Sequence, residues 1–184
     1  MQQYLDVIRR VLESGHRKSN RTGVDTLSTF NVNYQIDLRS GFPLLTTKEI
    51  SWKNIVVENL WFLSGDTRID LLRKHGCRFW EPWADENGLV PSAYGNFWRN
   101  FPVHKDGEAA FNDQIRYVVD ELKARPQSRR LVVSAWAPGN AQTSALPPCH
   151  AFWVLNVQQD EHGEPLLCLH LTQRSCDVAL GLPY

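Results

Sequence analysis

The sequence is short of most features that mark a special class of protein. It has four cysteines, at 77, 149, 168 and 176, and none of them forms a CxxC. That excludes the zinc and redox spacings, and a chain of 184 residues can bury a core without disulfide staples. Reduced thiols in a cytosolic protein with no metal are the expectation. Net charge is lacking too: 20 Lys+Arg balance 20 Asp+Glu, so no global basic excess points to nucleic acid. No apolar run approaches the roughly 20 residues that span a bilayer. MQQYLDVIRRVLESG at the N-terminus has no uninterrupted signal-peptide core. Low-complexity tracts, repeats and Gly/Ser linkers are also missing, which predicts one domain over 1–184.

What is plentiful is apolar surface, 42% of residues, including seven tryptophans that sit partly among polar neighbours. Spacing predicts a helix over 2–14, with Tyr4, Leu5, Ile8, Val11 and Leu12 inward and Gly15 as its stop. HRKSNRTGVDT reads as a loop, and TLSTFNVNYQIDL alternates as a strand does. A second helix fits 51–63, with Trp52, Ile55, Val56, Leu60 and Leu63 on its inner side. Residues 76–108 are aromatic and irregular. A third helix is FNDQIRYVVDELKAR, carried by Phe111, Ile115, Val118, Val119 and Leu122 and ended by Pro126. LVVSAW, AFWVLNV and LLCLHLTQRS read as strands. In the last, Leu167, Leu169 and Leu171 share one face, while Cys168, His170, Thr172 and Arg174 share the other. Helices mixed with strands suited to antiparallel pairing give an α+β fold, a mixed sheet with helices packed around it.

Several residues could carry chemistry. Arg21 in SNRTGVD, the adjacent Arg129 and Arg130, and Arg174 before Ser175 suit a phosphate, whose oxygens match the guanidinium fork. Solvated surface arginines are the plain alternative, less so for Arg129 and Arg130, because neighbouring strand side chains face opposite ways. Cys77, Cys168 and Cys176 sit in sequence suited to packing. Cys149 differs, because Pro147 and Pro148 restrict the backbone that delivers it. A thiol on a rigid loop is placed for attack if nearby arginine favours the thiolate. His150 is adjacent in sequence, which does not make it the base. Glu58 interrupts an apolar face in VVENLWFL, either as a rim residue or as a buried group held for proton traffic. Asp177 suits a helix cap. Trp80 and Trp83 in WEPW could form a platform for a flat ring or pack within their loop.

Taken together, RTG at 21–23, GFPLLTTK at 41–48, ENLWFLSGDT at 58–67, WEPWADENG at 80–88, YGNFWR at 94–99, DQI at 113–115, SRRLVVSAW at 128–136, LPPCHAF at 146–152 and QRSCDVALGLPY at 173–184 resemble thymidylate synthase of the folate-dependent, cysteine-nucleophile type. The resemblance covers essentially the whole chain, in order. It implies reductive methylation of dUMP to dTMP with 5,10-methylenetetrahydrofolate as carbon and hydride donor. By that resemblance Cys149 is the nucleophile that adds to uracil C6, Glu58 organises water and protons, and Tyr94 assists removal of the C5 proton. Arg21, Arg174 and Ser175 would grip the dUMP phosphate, with Cys176 and Asp177 also on the substrate side. Arg129 and Arg130 would reach the phosphate of a partner in a homodimer. Lys48, Trp80, Trp83 and Asp177 would line the folate site, and His150 would join the water network.

The sequence also departs from the family pattern. Glu49 and Ser51 follow Lys48 where basic or His-like residues are more usual, which would repel a polyglutamyl tail. VPSAYGNFW replaces the more usual GPVYGxQW. A pyrimidine-nucleotide 5-hydroxymethylase shares the cysteine addition, and Trp80 favours methylation over that alternative. Family members continue past the GLPY at which this sequence ends. The resemblance therefore implies an incomplete chain lacking a base-reading asparagine, a His/Tyr pair for the 3′-hydroxyl and a tail that closes over folate. A catalytically incomplete fragment is the remaining alternative.

Overall fold

The computed structural model describes residues 1–20, 22–141 and 144–184. Its contacts group the chain into two compact units, one made of Met1–Ile50 with Cys176–Tyr184 and the other of Ser51–Ser175. No helix among the described residues is long and apolar enough to cross a membrane.

In the first unit, helix α1 forms over Gln2–Ser14, as its spacing predicts. It buries Tyr4 and Val7, whereas Leu5 and Leu12 stay exposed. Of the expected inner residues Tyr4 is buried and Ile8 and Val11 partly so, Val7 joins that face, and only Leu5 and Leu12 fall outside it. The segment expected to be a loop starts instead with strand β1 (His16–Lys18), paired antiparallel with β2 (Thr26–Ser28). The long strand expected from Thr26 onward is reduced to those three residues. Alternation marks a segment that can be a strand, and a ladder partner makes it one.

The second unit is built on α2 (Trp52–Ser64). Ser51 caps it by accepting the Asn54 N–H, and Gly65 ends it in the left-handed region at φ 77°. Val57, Trp61 and Phe62 are its buried residues, while Trp52, Val56, Leu60 and Leu63 lie exposed. This corrects the expected inner side. WKNIVVENLWFLS is apolar on nearly every side, so its periodicity could not select the face. After α3 (Asp70–Lys74) the irregular aromatic stretch yields α4 (Tyr94–Arg99) and then a hairpin, β3 (Phe101–Lys105) with β4 (Glu108–Asn112). Its two-residue turn is Asp106–Gly107, both at positive φ (53° and 84°), the Asp-Gly signature of a tight hairpin. Helix α5 (Gln114–Ala124) starts only after its cap Asp113, so Phe111 falls in β4 and is exposed.

Strands β5 (Val132–Ser134), β6 (His150–Gln159) and β7 (Pro165–Gln173) form a three-stranded antiparallel sheet in that order. Arg129 and Arg130 precede β5 in an exposed loop, so the opposed facing expected of strand neighbours does not apply to them. With helices and, among the described residues, three small antiparallel sheets in place of the one mixed sheet expected, the fold is α+β. Its larger core joins α2, α3 and α4 through Trp61, Phe62, Leu72, Trp80, Tyr94 and Phe97. A smaller core sets Val118 of α5 on Leu131 and Val133.

The contact between α2 and α4 depends on Gly95. A Cβ there would lie 2.4 Å from the Phe62 carbonyl oxygen, well inside van der Waals contact with rigid backbone. Gly95→Ala should therefore push the helices apart and lower the urea-unfolding free energy by about 1–3 kcal/mol. An unchanged midpoint would show that α4 is free to shift.

Candidate active site

Two consecutive prolines leave the chain before Cys149 with carbonyl acceptors but no N–H donors at those positions. Arg174, one residue past β7, uses those carbonyls. Its Nε donates to Pro148 O and its Nη2 to Pro147 O, each at 2.8 Å, and its backbone N–H donates to Cys149 O at 2.9 Å. The guanidinium lies over the Trp136 ring, 5.2 Å from its centroid, and Nη2 is 3.8 Å from Cys149 Sγ. The thiol is thus half-buried with a cation beside it. Its own amide donates to Tyr94 Oη at 2.8 Å, and the His150 amide reaches the same oxygen at 3.3 Å.

Tyr94 comes from the first turn of α4 and is buried among Phe62, Trp80 and Trp98, with its ring against His150. Burial, outweighing the two amide hydrogen bonds, pushes its phenol up to about 12. Glu58, half-buried on α2, accepts a 2.5 Å hydrogen bond from the Trp80 indole N–H. Burial raises its carboxyl above the usual range, and the indole bond partly opposes that. Burial also lowers His150, favouring the neutral imidazole. Glu58, Tyr94 and His150 are therefore all pushed toward their neutral forms.

Cys149, Glu58, Tyr94, Trp80, His150 and Arg174 are thus assembled within one unit. Trp80 lies in the core, its N–H turned to Glu58, while Trp83 packs half-buried against the same cluster. Arg129 and Arg130 are not part of that group. They line a separate open groove of ≈ 660 Å³ with Tyr117, Glu121 and Arg125. Ser175 is exposed beside Arg174. In the other unit, Asp177 caps a turn by accepting the Ala179 and Leu180 amides at 2.9 and 2.8 Å, and Cys176 is exposed. Lys48 there donates to Ala179 O at 3.4 Å and lies over the Tyr184 ring. Arg21 lies outside the described residues. No local pattern marked Trp136 as a shelf for Arg174, or the proline carbonyls as its acceptors. The second was readable in principle, since a Pro-Pro pair frees acceptors near any donor the fold supplies.

The shift on Tyr94 makes stability depend on pH in a stated direction. The folded chain holds the phenolic proton where the unfolded chain, at 10.0, has lost it. That contribution is complete below the unfolded value and is lost as pH rises through about 12. A shift of this size corresponds to roughly 2–3 kcal/mol. The urea-stability gap between wild type and Tyr94→Phe should therefore narrow by that amount over this alkaline range. Parallel profiles would refute it.

The thymidylate synthase family model matches residues 2–184. The chain is also 47% identical over 198 aligned residues to a thymidylate synthase of Haloferax volcanii, a match covering 97% of this chain and 56% of the relative. The chain spans about half the length of that curated relative. With a family match over nearly every residue, the chain belongs to the thymidylate synthase family.

Proposed function

We propose that this chain serves the reductive methylation of dUMP to dTMP, with Cys149 adding to C6 of the uracil ring. The observation that carries the proposal is the clamp on Cys149: its amide is held by Tyr94 Oη, and its proline carbonyls by the Arg174 guanidinium that also reaches Sγ. Uracil is a poor electrophile, so a covalent thiol adduct divides one difficult substitution into easier steps. Addition at C6 sends ring electrons toward C5 and O4, making C5 a nucleophile for a one-carbon unit. Loss of the C5 proton, departure of the carrier amine from the one-carbon unit, hydride addition to that carbon and expulsion of the thiolate from C6 then give the methylated ring.

The neutral groups suit this sequence. Tyr94 accepts two amide hydrogen bonds, which leaves its hydroxyl proton free to donate and to orient water for C5-proton removal. Glu58, shifted toward its protonated form, can exchange a proton with water beside O4. Arg174 with Ser175 supports a phosphate grip, and Arg21 takes the same role from outside the described residues. 5,10-Methylenetetrahydrofolate, when bound, supplies the carbon and the hydride. Trp83 offers it a partly open aromatic face. Lys48 and Asp177 are assigned to the same co-substrate. Exposed Arg129 and Arg130 fit a role across a homodimer interface, on a partner's phosphate. Four free thiols suit a reducing compartment such as the cytoplasm.

Tritium release from 5-tritiated dUMP should depend on methylenetetrahydrofolate and fall to background in Cys149→Ala, with a product whose mass shows a methyl group at C5. Release retained in that variant would remove Cys149 from the role.

A further inference from the structure

Gln114 is a polar side chain where packing alone would favour an apolar one. It opens α5, is only 8% exposed and directs its amide to two other elements. Its Nε2 donates to Phe97 O at 2.8 Å and to Ser134 O at 2.7 Å, and its Oε1 accepts the Ser134 N–H at 2.9 Å. Both donors and one acceptor site of the amide are thus used in a dry setting.

The partners explain why an amide is required. Flanking β5, the Leu131 carbonyl and the Ala135 N–H bond to β6, so by alternation the N–H and carbonyl of Ser134 face the free edge. Gln114 meets that pair as a neighbouring strand would. The Phe97 carbonyl lies in the last turn of α4, where a helix leaves its carbonyls without intrahelical partners. One side chain therefore joins the end of α4 to the edge of β5.

That joint closes a circuit. From β5, Ala135 N and Trp136 N reach Ala151 O on β6 at 2.9 and 3.1 Å. Directly before Ala151, the amides of Cys149 and His150 reach Tyr94 Oη on α4. Tyr94 is three residues from Phe97, and Gln114 returns from there to Ser134. We propose that Gln114 is a positioning residue for the nucleophile: by fixing α4 against β5 it keeps the Tyr94 oxygen on the two amides that hold Cys149. The kinetic consequence rests on the proposed role of Cys149, whereas the positioning itself does not.

The test separates the two. Gln114→Met keeps volume and removes all three hydrogen bonds. Gln114→Glu keeps the acceptor and loses the donors until the carboxyl is protonated. In Gln114→Met, hydrogen exchange of the Cys149 and His150 amides should rise by about tenfold or more, the loss expected from one hydrogen bond. The Asn156 and Cys168 amides, which face each other in the β6–β7 ladder, serve as the control and should change by less than about twofold. Gln114→Glu should show the same defect at neutral pH and recover as pH falls, an acid rescue that generalised destabilisation does not give. Unchanged Cys149 and His150 exchange in both variants, or an equal rise throughout β5–β7, would overturn the proposal. If neither variant folds, the wild-type chain still decides. Gln114 side-chain amide protons exchanging while those of Cys149 and His150 remain protected would overturn it, and joint protection supports it. None of these measurements needs turnover, so a failed tritium assay leaves them standing.

Discussion

A phenolic oxygen can accept two hydrogen bonds, and in this chain both are taken by backbone amides at the start of one strand. Everything around the candidate nucleophile follows from meeting that demand. β6 begins at His150, so the amides of Cys149 and His150 stand where the ladder to β5 has not yet opened. Left without acceptors at a half-buried position, they would each cost on the order of 1–3 kcal/mol. Tyr94 supplies the acceptor, but only if α4 lies close against α2. Gly95 makes that approach possible, because the Phe62 carbonyl occupies the space a side chain would need. The aromatic rings around Tyr94 then shut out the water that could otherwise have served those amides.

Arg174 does a different task from the one its charge first suggests. Its side chain is exposed, and a cation 3.8 Å from sulfur in that setting is strongly screened. Its two hydrogen bonds to proline carbonyls are short and directional, and they act on the loop that carries the thiol. Geometry is therefore the larger contribution: the guanidinium shapes the Pro147–Cys149 turn and lies on Trp136 while doing so. Two of its donors point to the protein, and the remainder of the fork is available to an anion.

The sequence made some of this legible and hid the rest for identifiable reasons. Helix α1 and the three later strands stood out because their periodicity is local. The inner face of α2 did not, since that helix carries apolar residues on several sides and tertiary partners make the choice. The β3–β4 hairpin was readable in Lys-Asp-Gly-Glu, but the aromatic residues before it drew attention from the turn. Among site residues, Cys149, Glu58 and Arg174 were picked out by type and context and Tyr94 by the family resemblance, and the structure brings them into one unit. Gln114 was visible only as one letter of a motif. Its meaning lies in acceptors 17 and 20 residues away in the chain, which no local pattern encodes.

The tryptophans, the least expected item of composition, explain the electrostatics. Trp61, Trp80 and Trp98 enclose Phe62 and Tyr94 in mutual ring contacts of 4.9–6.2 Å, and Trp80 spends its one polar atom on Glu58. An aromatic enclosure of this kind penalises charge on any group facing it. Glu58 is raised, Tyr94 is raised and His150 is lowered, each by burial before any other cause. The neighbourhood of Cys149 thus favours neutral proton donors and a neutral imidazole, with the fixed positive charge kept at the exposed side on Arg174. In the proposed reaction, addition of the thiolate to a uracil ring develops negative charge on the ring oxygen, away from the sulfur. A wall of neutral donors can answer that charge as it forms without having bound it beforehand, and that difference between ground and transition state is what accelerates a step.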